Sequence, residues 1–169
     1  MTYEQDIAKQ ALDFAEKCHG DQKYGPYPYR YHLEKVVEQA IRRGGSENEI
    51  IACALHDVLE DTACTFEELR AAWGPRVAKL VWAVTNVKTS RGHTDRIRTY
   101  WNVLSFAPSS LFVNLCDRLA NVQEGGKLAK YTREYPLFRE MLWPAAQQHR
   151  SCRSLFDDLD HMLGWTDDA

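Results

Sequence analysis

Helical periodicity is the feature that most constrains what this chain can fold into. Apolar residues recur every three to four positions along most of its length, and no segment alternates apolar and polar residues as a half-buried strand does. The first segment shows the pattern, with one apolar stripe formed by Ile7, Ala11, Phe14, Ala15 and Cys18. We therefore expect an all-α protein.

Capping boxes mark where several of these helices begin. In such a box a Ser or Thr is followed three residues later by a Glu or Gln, and each side chain bonds to the backbone N–H of the other residue. One such box predicts a single helix over about residues 47–61, and another predicts a helix that breaks at Gly74-Pro75. The three boxes are Thr2 with Gln5, Ser46 with Glu49 and Thr65 with Glu68.

Glycine and proline residues mark most of the expected helix ends. Residues 20–31 contain two glycines, two prolines and four tyrosines, so we expect an ordered loop there. Pro108 separates two helices, and Ser109 or Ser110 is expected to cap the second one. The remaining expected breaks are Gly44-Gly45, Gly125-Gly126, Pro136 and Pro144.

Length and charge limit the class of protein. A chain of 169 residues matches one domain, so residues 1–169 are assigned to a single domain. A net charge of −3 argues against non-specific binding to nucleic acid. The N-terminus lacks a signal peptide, and no stretch approaches the roughly 18 apolar residues of a membrane span. We expect a cytoplasmic protein with no membrane partner, whose five cysteines are reduced because they lack Cys-x-x-Cys spacing.

The segment around residues 56–61 concentrates acidic side chains. On one continuous helix, His56, Asp57, Glu60 and Asp61 fall within roughly 140° of the circumference, opposite an apolar arc. Three carboxylates and an imidazole then share a face with no Lys or Arg nearby in sequence. A bound cation would compensate this negative charge, whereas a solvated or capped His–Asp pair is the simpler structural interpretation.

A second polar stripe lies further along the chain. Asn114, Asp117 and Asn121 are spaced three and four residues apart on an otherwise apolar helix. A carboxylate on a buried helix is costly unless it is paired. Its partner is therefore either a shared cation or the neighbouring Arg118.

In this order, His32, His56-Asp57 and Asp117 resemble the H…HD…D signature of the HD superfamily of metal-dependent phosphohydrolases. Flanking motifs are similar to the hydrolase domain of the RelA/SpoT family and its small stand-alone members. The likeness covers about residues 11–124, while the expected C-terminal helices of residues 125–169 add nothing to it. It implies a helical bundle of the HD-domain type that hydrolyses a phosphorylated nucleotide. The motifs are ALHDVLEDT at 54–62, WGPRVAKLV at 73–81, AVT at 83–85 and CDRLAN at 116–121.

The resemblance also implies what the matching residues do. Glu60 and Asp61 match the family's catalytic acidic pair. We assign Glu60 to orienting the attacking water and taking its proton, and Asp61 to assisting the departing oxygen. Two imidazoles and two carboxylates suit Mn²⁺, the common metal of that branch, as well as Fe²⁺ or Zn²⁺. The expected ligands of this single divalent ion are His32, His56, Asp57 and Asp117.

The expected substrate contacts rest on the same resemblance and on local charge. Asn121 matches an asparagine that contacts the nucleotide in the family, and Thr85 matches a threonine near the pocket. Basic residues of the 88–98 segment either neutralise substrate phosphates or form a solvated face. The expected substrate residues are Lys23, Tyr24, Thr85, Lys88, Arg91, Asn114, Arg118 and Asn121.

Departures from the pattern of (p)ppGpp hydrolases lie where that branch holds its substrate. The loop between Lys23 and Tyr31 is one residue shorter, and Asn114 stands where a lysine is common. The four tyrosines of this loop either stack on a nucleobase or pack the loop onto the core.

Three functions are compatible with these patterns. The first is metal-dependent hydrolysis of the 3′ pyrophosphate of (p)ppGpp by metal-activated water. The second is dephosphorylation of another nucleotide or phosphorylated metabolite, which releases orthophosphate in place of pyrophosphate. The third is nucleotide binding without turnover, which the intact metal set and Glu60-Asp61 disfavour. The oligomeric state is left open.

Overall fold

The computed structural model describes residues 3–166, most of which lie in helices. The all-α prediction is confirmed. The predicted capping box of Thr2 and Gln5 involves a residue outside the described part of the chain. The helices are α1 (Tyr3–His19), α2 (Arg30–Arg42), α3 (Glu47–Leu55), α4 (Val58–Asp61), α5 (Phe66–Val84), α6 (Arg96–Ser105), α7 (Ser109–Glu124), α8 (Leu128–Ala146) and α9 (Arg150–Leu163).

Helix α7 lies at the centre of the bundle. It contacts α2, α3, α5, α6, α8 and α9, and it is buried on most of its faces. Complete burial of a leucine such as Leu115 contributes about 1.5–3 kcal/mol. Asn114 and Asp117 are only half buried in the middle of this helix. Their side of α7 therefore faces a polar space inside the bundle.

A single hydrophobic cluster joins residues from α1 through α9. No helix of residues 3–166 is both long and apolar enough to cross a membrane. All five cysteines are free, as expected from their spacing. The assignment of residues 1–169 to one domain and the cytoplasmic location stay predictions.

Two of the predicted capping boxes are present. Glu49 accepts the backbone N–H of Ser46 at 2.7 Å, and Glu68 accepts that of Thr65 at 2.8 Å. Helix α5, which the second box starts, contains the predicted break. Gly74 adopts φ 83° and ψ 164°, a conformation that favours glycine because it has no Cβ.

The predicted helix over residues 47–61 is instead two helices. Helix α3 ends before His56, helix α4 begins after Asp57, and these two residues form a turn. Asp57 has φ −96° and ψ −4°, away from the regular helical values. The argument from one continuous helical face is therefore wrong. The turn brings two consecutive polar side chains toward the same side, whereas a regular helix would separate them by about 100°.

Helix α8 runs without interruption through Pro136 and Pro144, so the two predicted breaks are wrong. A proline inside a helix costs about 3 kcal/mol, because it removes a hydrogen bond and its ring crowds the preceding turn. Large side chains such as Tyr135 and Phe138 are buried against α6, α7 and α9. This packing outweighs the local preference of the two prolines.

Two smaller boundaries also differ from the expectations. The segment of residues 20–31 contains a short antiparallel hairpin, in which β1 (Lys23–Tyr24) pairs with β2 (Tyr27–Pro28). Helix α7 is not capped by a serine side chain, because its N-cap residue is Pro108. Ser110 lies inside the helix, where its hydroxyl donates to the carbonyl oxygen of Val103 in α6.

Candidate metal centre and active site

Four side chains from three separate parts of the sequence meet inside the bundle. His32 comes from the first turn of α2, His56 and Asp57 from the turn between α3 and α4, and Asp117 from the middle of α7. His56 Nε2 lies 2.9 Å from Asp57 Oδ2 and 3.3 Å from Asp117 Oδ1. His32 Nε2 lies 3.2 Å from Asp117 Oδ1 and 3.9 Å from Asp57 Oδ2. All four residues expected as metal ligands are thus together.

Neighbouring residues orient both imidazoles. The Nδ1 atom of His56 is 2.8 Å from the carbonyl oxygen of Cys53. A carbonyl only accepts, so Nδ1 carries a proton, and Nε2 is the ring nitrogen that faces the carboxylates. The ring of His32 stacks on Tyr24, with ring centroids 4.6 Å apart. Both Nε2 atoms therefore point at the same small volume.

The charges of this cluster fit a bound cation. His56 Nε2 is buried, has no hydrogen-bond partner among the described residues, and faces two carboxylates. Burial lowers the pKa of His56, but Asp57 and Asp117 raise it well above its usual value. Burial raises the pKa of Asp117, whereas His56 and His32 lower it below its usual range. Because two imidazoles and two carboxylates suit a borderline divalent ion, the residues present fit a metal.

The two acidic residues of α4 differ in their contacts. Glu60 Oε2 accepts the backbone N–H and the side-chain amide of Asn86 at 3.1 and 2.8 Å, and Glu60 Oε1 accepts Lys88 Nζ at 2.8 Å. Asp61 Oδ2 accepts only long hydrogen bonds of 3.4 Å, from Gln22 and from the Tyr29 hydroxyl. Glu60 is thus held firmly, while Asp61 is exposed and held weakly.

A cavity of about 690 Å³ opens directly over the cluster. Among its lining residues are His32, Asp57, Asp117 and both acidic residues of α4, so three of the four expected ligands share one space with Glu60 and Asp61. Its volume lies within the usual range of small-molecule sites. The expected substrate residues that line it are Lys23, Tyr24 and Asn121.

Several lining residues were missed by the sequence analysis. Lys127 and Lys130, at the start of α8, bring cations to this cavity, and Tyr131 follows them. Asn86, which holds Glu60, is a further lining residue. The sequence signal for the lysines was present but weak. The two lysines are spaced three residues apart after Gly125-Gly126. Nothing in the neighbouring sequence indicates that they lie close to the motifs of other helices.

Asn114 and Arg118 line a different, smaller cavity of about 70 Å³ beside the cluster. The guanidinium of Arg118 lies 4.0 Å from the centroid of the Phe138 ring and 3.8 Å from a carboxylate oxygen of Glu134. Arg118 is therefore not the ion-pair partner of Asp117, and the simpler interpretation of that carboxylate is wrong.

Three further residues expected at the substrate site, Thr85, Lys88 and Arg91, line neither cavity. The Thr85 hydroxyl donates to the Val81 carbonyl oxygen at 2.8 Å, and Thr85 lines neither cavity. Arg91 is exposed in the loop that the isolated bridge between Lys88 and Thr94 closes. Lys88 is half exposed and paired with Glu60 at the edge of the site.

The tyrosines of the hairpin pack on one another and on the cluster. Tyr24 donates its hydroxyl to Asn121 Oδ1 at 3.0 Å, in addition to its stacking on His32. Burial and Asp117 raise the pKa of Tyr24 to about 12. The Tyr29 hydroxyl donates to Asp57 Oδ2. Tyr24 and Tyr29 thus pack against the cluster, and stacking of the tyrosines on a nucleobase stays a prediction.

Comparison with known protein families gives one match over most of the chain. The family model described as the HD domain matches residues 11–151. Two relatives both bear the name guanosine-3′,5′-bis(diphosphate) 3′-pyrophosphohydrolase. The relative from Aquifex aeolicus (strain VF5) is 36% identical over 138 residues, and the one from Spiroplasma citri is 35% identical over 142 residues.

These matches cover 75% and 79% of this chain but only 20% and 19% of the two relatives. The chain therefore spans about a fifth of their length. Among solved structures, a metazoan ortholog of SpoT that hydrolyses ppGpp superimposes with a TM-score of 0.77. That match covers 98% of this chain and all of the other at 20% sequence identity. At this identity the likeness establishes the fold.

Proposed function

This chain belongs to the HD domain family, and we propose that it is a divalent-metal-dependent phosphohydrolase that removes the 3′ pyrophosphate from (p)ppGpp. One observation carries the proposal. Two buried imidazoles and two half-buried carboxylates, from three separate parts of the fold, converge beneath a 690 Å³ cavity that two further acidic residues also line. Apolar side chains of similar volume would stabilise the fold at least as well as this group of charged residues does, so stability alone does not account for it.

In this proposal His32, His56, Asp57 and Asp117 hold the metal, and Mn²⁺ is the resident ion. When bound, such an ion acts as a Lewis acid that polarises a phosphoryl oxygen and lowers the pKa of bound water. The hydrogen bond from His56 Nδ1 to the Cys53 carbonyl supports this role, because it fixes the ring orientation from behind.

Glu60 takes the proton of the attacking water, and Asp61 assists the departing O3′ oxygen. Water adds to the phosphorus bonded to O3′, the O3′–P bond breaks, and O3′ gains a proton. Glu60 is oriented by Asn86 but also paired with Lys88. Because Lys88 is half exposed, an anionic substrate attracts it away and leaves Glu60 free to accept a proton.

The guanosine substrate is supported by the names of the relatives and by the character of the cavity. Its volume suits a nucleotide, and Lys23, Lys127 and Lys130 supply cations for several phosphate groups. Asp61, whose charge is opposite to that of these lysines, lies near the ligand cluster.

A second candidate is a phosphatase for another nucleotide or phosphorylated metabolite. The observation that favours it is the state of Asn121, the residue expected to contact the nucleotide. Its Oδ1 accepts the Tyr24 hydroxyl at 3.0 Å, and its Nδ2 donates to Asp117 at 2.6 Å. Both ends of the amide are therefore engaged within the protein, so a nucleotide has to displace Tyr24 to reach it.

Product analysis tests the proposal. Purified protein supplied with Mn²⁺ is incubated with ppGpp and, in parallel, with a panel of nucleoside monophosphates and sugar phosphates. Release of pyrophosphate from ppGpp supports the leading function, and release of orthophosphate from monoesters alone moves the protein to the second candidate. Binding of ppGpp without turnover under Mn²⁺, Fe²⁺ or Zn²⁺ indicates a nucleotide-binding protein.

A further inference from the structure

The smaller cavity beside the metal cluster has a composition unlike an ordinary packing defect. It has a volume of about 70 Å³ and is lined mainly by polar side chains. It shares Asp57, Asn86, Asp117, Lys130 and Tyr131 with the main cavity, so the two spaces adjoin along one edge of the cluster. We name the smaller space the inner cavity.

Two polar groups on α7 are left without partners in this space. Arg118 is only 6% exposed. Its Nη1 atom has no hydrogen-bond partner within residues 3–166. Asn114 Oδ1, one helical turn earlier, is also buried and unpartnered there. An unsatisfied buried group costs about 1–3 kcal/mol, and more when it is charged. The inner cavity is therefore shaped for a polar occupant.

The charges around the inner cavity identify the kind of occupant. Arg96, Arg118 and Lys130 line it, and the nearby carboxylate of Glu134 pairs with both arginines at 3.2 and 3.8 Å. Lys130 Nζ lies 5.4 Å from the Tyr131 ring, and the described residues give it no hydrogen bond or ion pair. Asp57 and Asp117 also line the inner cavity, and in the function proposed above a bound divalent ion compensates their charge. Beyond these two proposed ligands, one carboxylate faces three cations, which leaves an excess of positive charge next to the phosphate chemistry.

The environment of Lys130 agrees with an anionic occupant. Burial, followed by the charge of Arg96, lowers the pKa of Lys130. Its ammonium is therefore only partly compensated by the protein, and an anion in the inner cavity would stabilise it.

We propose that the inner cavity is a phosphate subsite, which receives the terminal phosphate of the pyrophosphate that is released by hydrolysis. This inference rests on the function proposed above. A buried water needs about 10–15 Å³ of such volume, so the space holds about five waters or one tetrahedral phosphate group of five heavy atoms. Arg118 and Lys130 are the donors to its oxygens, and the Asn114 amide turns its NH₂ group toward the same anion.

Calorimetric titration of orthophosphate into the Mn²⁺-loaded protein tests this subsite without measuring turnover. Lys130→Gln removes one cation and no hydrogen bond, and Asn114→Leu fills the polar space with an apolar side chain of similar size. Each variant is expected to weaken phosphate binding by about tenfold or more, the effect of losing one charge-assisted contact. The matched control is Arg133→Gln, which removes an exposed cation of α8 that lines neither cavity.

The control is expected to bind orthophosphate within about twofold of the unchanged protein, and melting temperatures verify that each variant is folded. If Lys130→Gln and Asn114→Leu bind like the control, the inner cavity holds only water and the proposal fails. Pyrophosphate, supplied as its preformed Mn²⁺ complex, is titrated in parallel. Tighter binding than orthophosphate, with the same dependence on Lys130, identifies the leaving group as the occupant, whereas a preference for orthophosphate overturns that assignment.

The two proposals fail in different ways. A protein that releases no pyrophosphate from ppGpp, yet binds orthophosphate through Lys130, has the subsite but a different substrate. A protein that hydrolyses ppGpp while its variants bind phosphate normally has the proposed function but not the subsite.

Discussion

The Nδ1 atom of His56 donates to the carbonyl oxygen of Cys53, one turn earlier in the chain, at a distance of 2.8 Å. This bond decides which ring nitrogen faces the carboxylates of Asp57 and Asp117. With Nδ1 engaged in this bond, Nε2 is the ring nitrogen left to bind a metal. The bond also explains why the site is built at a helix end, because the Cys53 carbonyl belongs to the last turn of α3.

Removal of the metal is expected to destabilise the fold. The four proposed ligands belong to α2, the turn before α4 and α7, so one ion connects three distant segments. A metal at about 100 times its Kd stabilises by about 2.7 kcal/mol, which corresponds to roughly 5–10 °C in Tm for a domain of this size. Differential scanning fluorimetry with a chelator and with added Mn²⁺ measures the shift. Unchanged Tm values, together with no bound transition metal by mass spectrometry, would remove the four-ligand proposal.

The acidic residues are expected to separate into ligands and catalysts. Glu60→Gln keeps size and helix propensity but removes the proton acceptor, so kcat should fall by about 10²-fold or more while metal content stays the same. Asp57→Asn should lose both metal and activity, since Asp57 Oδ2 is 2.9 Å from His56 Nε2. Activity assays and metal analysis of the two variants check this division. An active Glu60→Gln variant, or one without metal, contradicts it.

Helix boundaries could be read from the sequence where a local interaction determines them. The boxes at Ser46 and Thr65 involve side chains three residues apart, and both are present. The breaks predicted at Pro136 and Pro144 were wrong because the free-energy cost of a proline in a helix is local. The burial that overcomes this cost depends on helices distant in sequence. The hairpin near Tyr24 was missed because strands of two residues show no periodicity.

For the site, sequence motifs indicated residue types but not the directions of side chains. Asp117 and Arg118 are neighbours in sequence, yet about 100° apart around α7, so Asp117 reaches the main cavity whereas Arg118 lines only the inner one. Lys127 and Lys130 come from a helix outside the motif region, and only the packing of α8 brings them to the cavity. Thr85 is turned away because its hydroxyl caps the end of its own helix.

The hydroxyl of Tyr29 is expected to tune metal affinity. It donates to Asp57 Oδ2, the carboxylate oxygen nearest to His56 Nε2. It therefore orients a proposed ligand without being a ligand itself. Loss of such a contact typically lowers metal affinity by about 10- to 100-fold. Tyr29→Phe should weaken Mn²⁺ binding by this amount in a calorimetric titration. Tyr31→Phe is the control, because that hydroxyl contacts Glu124 and no proposed ligand; equal affinities for the two variants would exclude the orienting role.

Lys88 is expected to affect substrate binding more than the chemical step. Its Nζ lies 2.8 Å from Glu60 Oε1, and we propose that a substrate phosphate takes over this contact. Lys88→Met should therefore raise KM by about tenfold, the value of one charge-assisted contact, and leave kcat within about threefold. Arg91→Met, in the same loop, should change neither parameter by more than about twofold, because Arg91 is exposed and lines neither cavity. Steady-state kinetics on ppGpp with both variants measures the separate effects on KM and kcat.

A large fall in kcat for Lys88→Met would mean that its pairing with Glu60 persists during the reaction and positions the base. An effect of Arg91→Met on KM would show that the loop closes over the substrate.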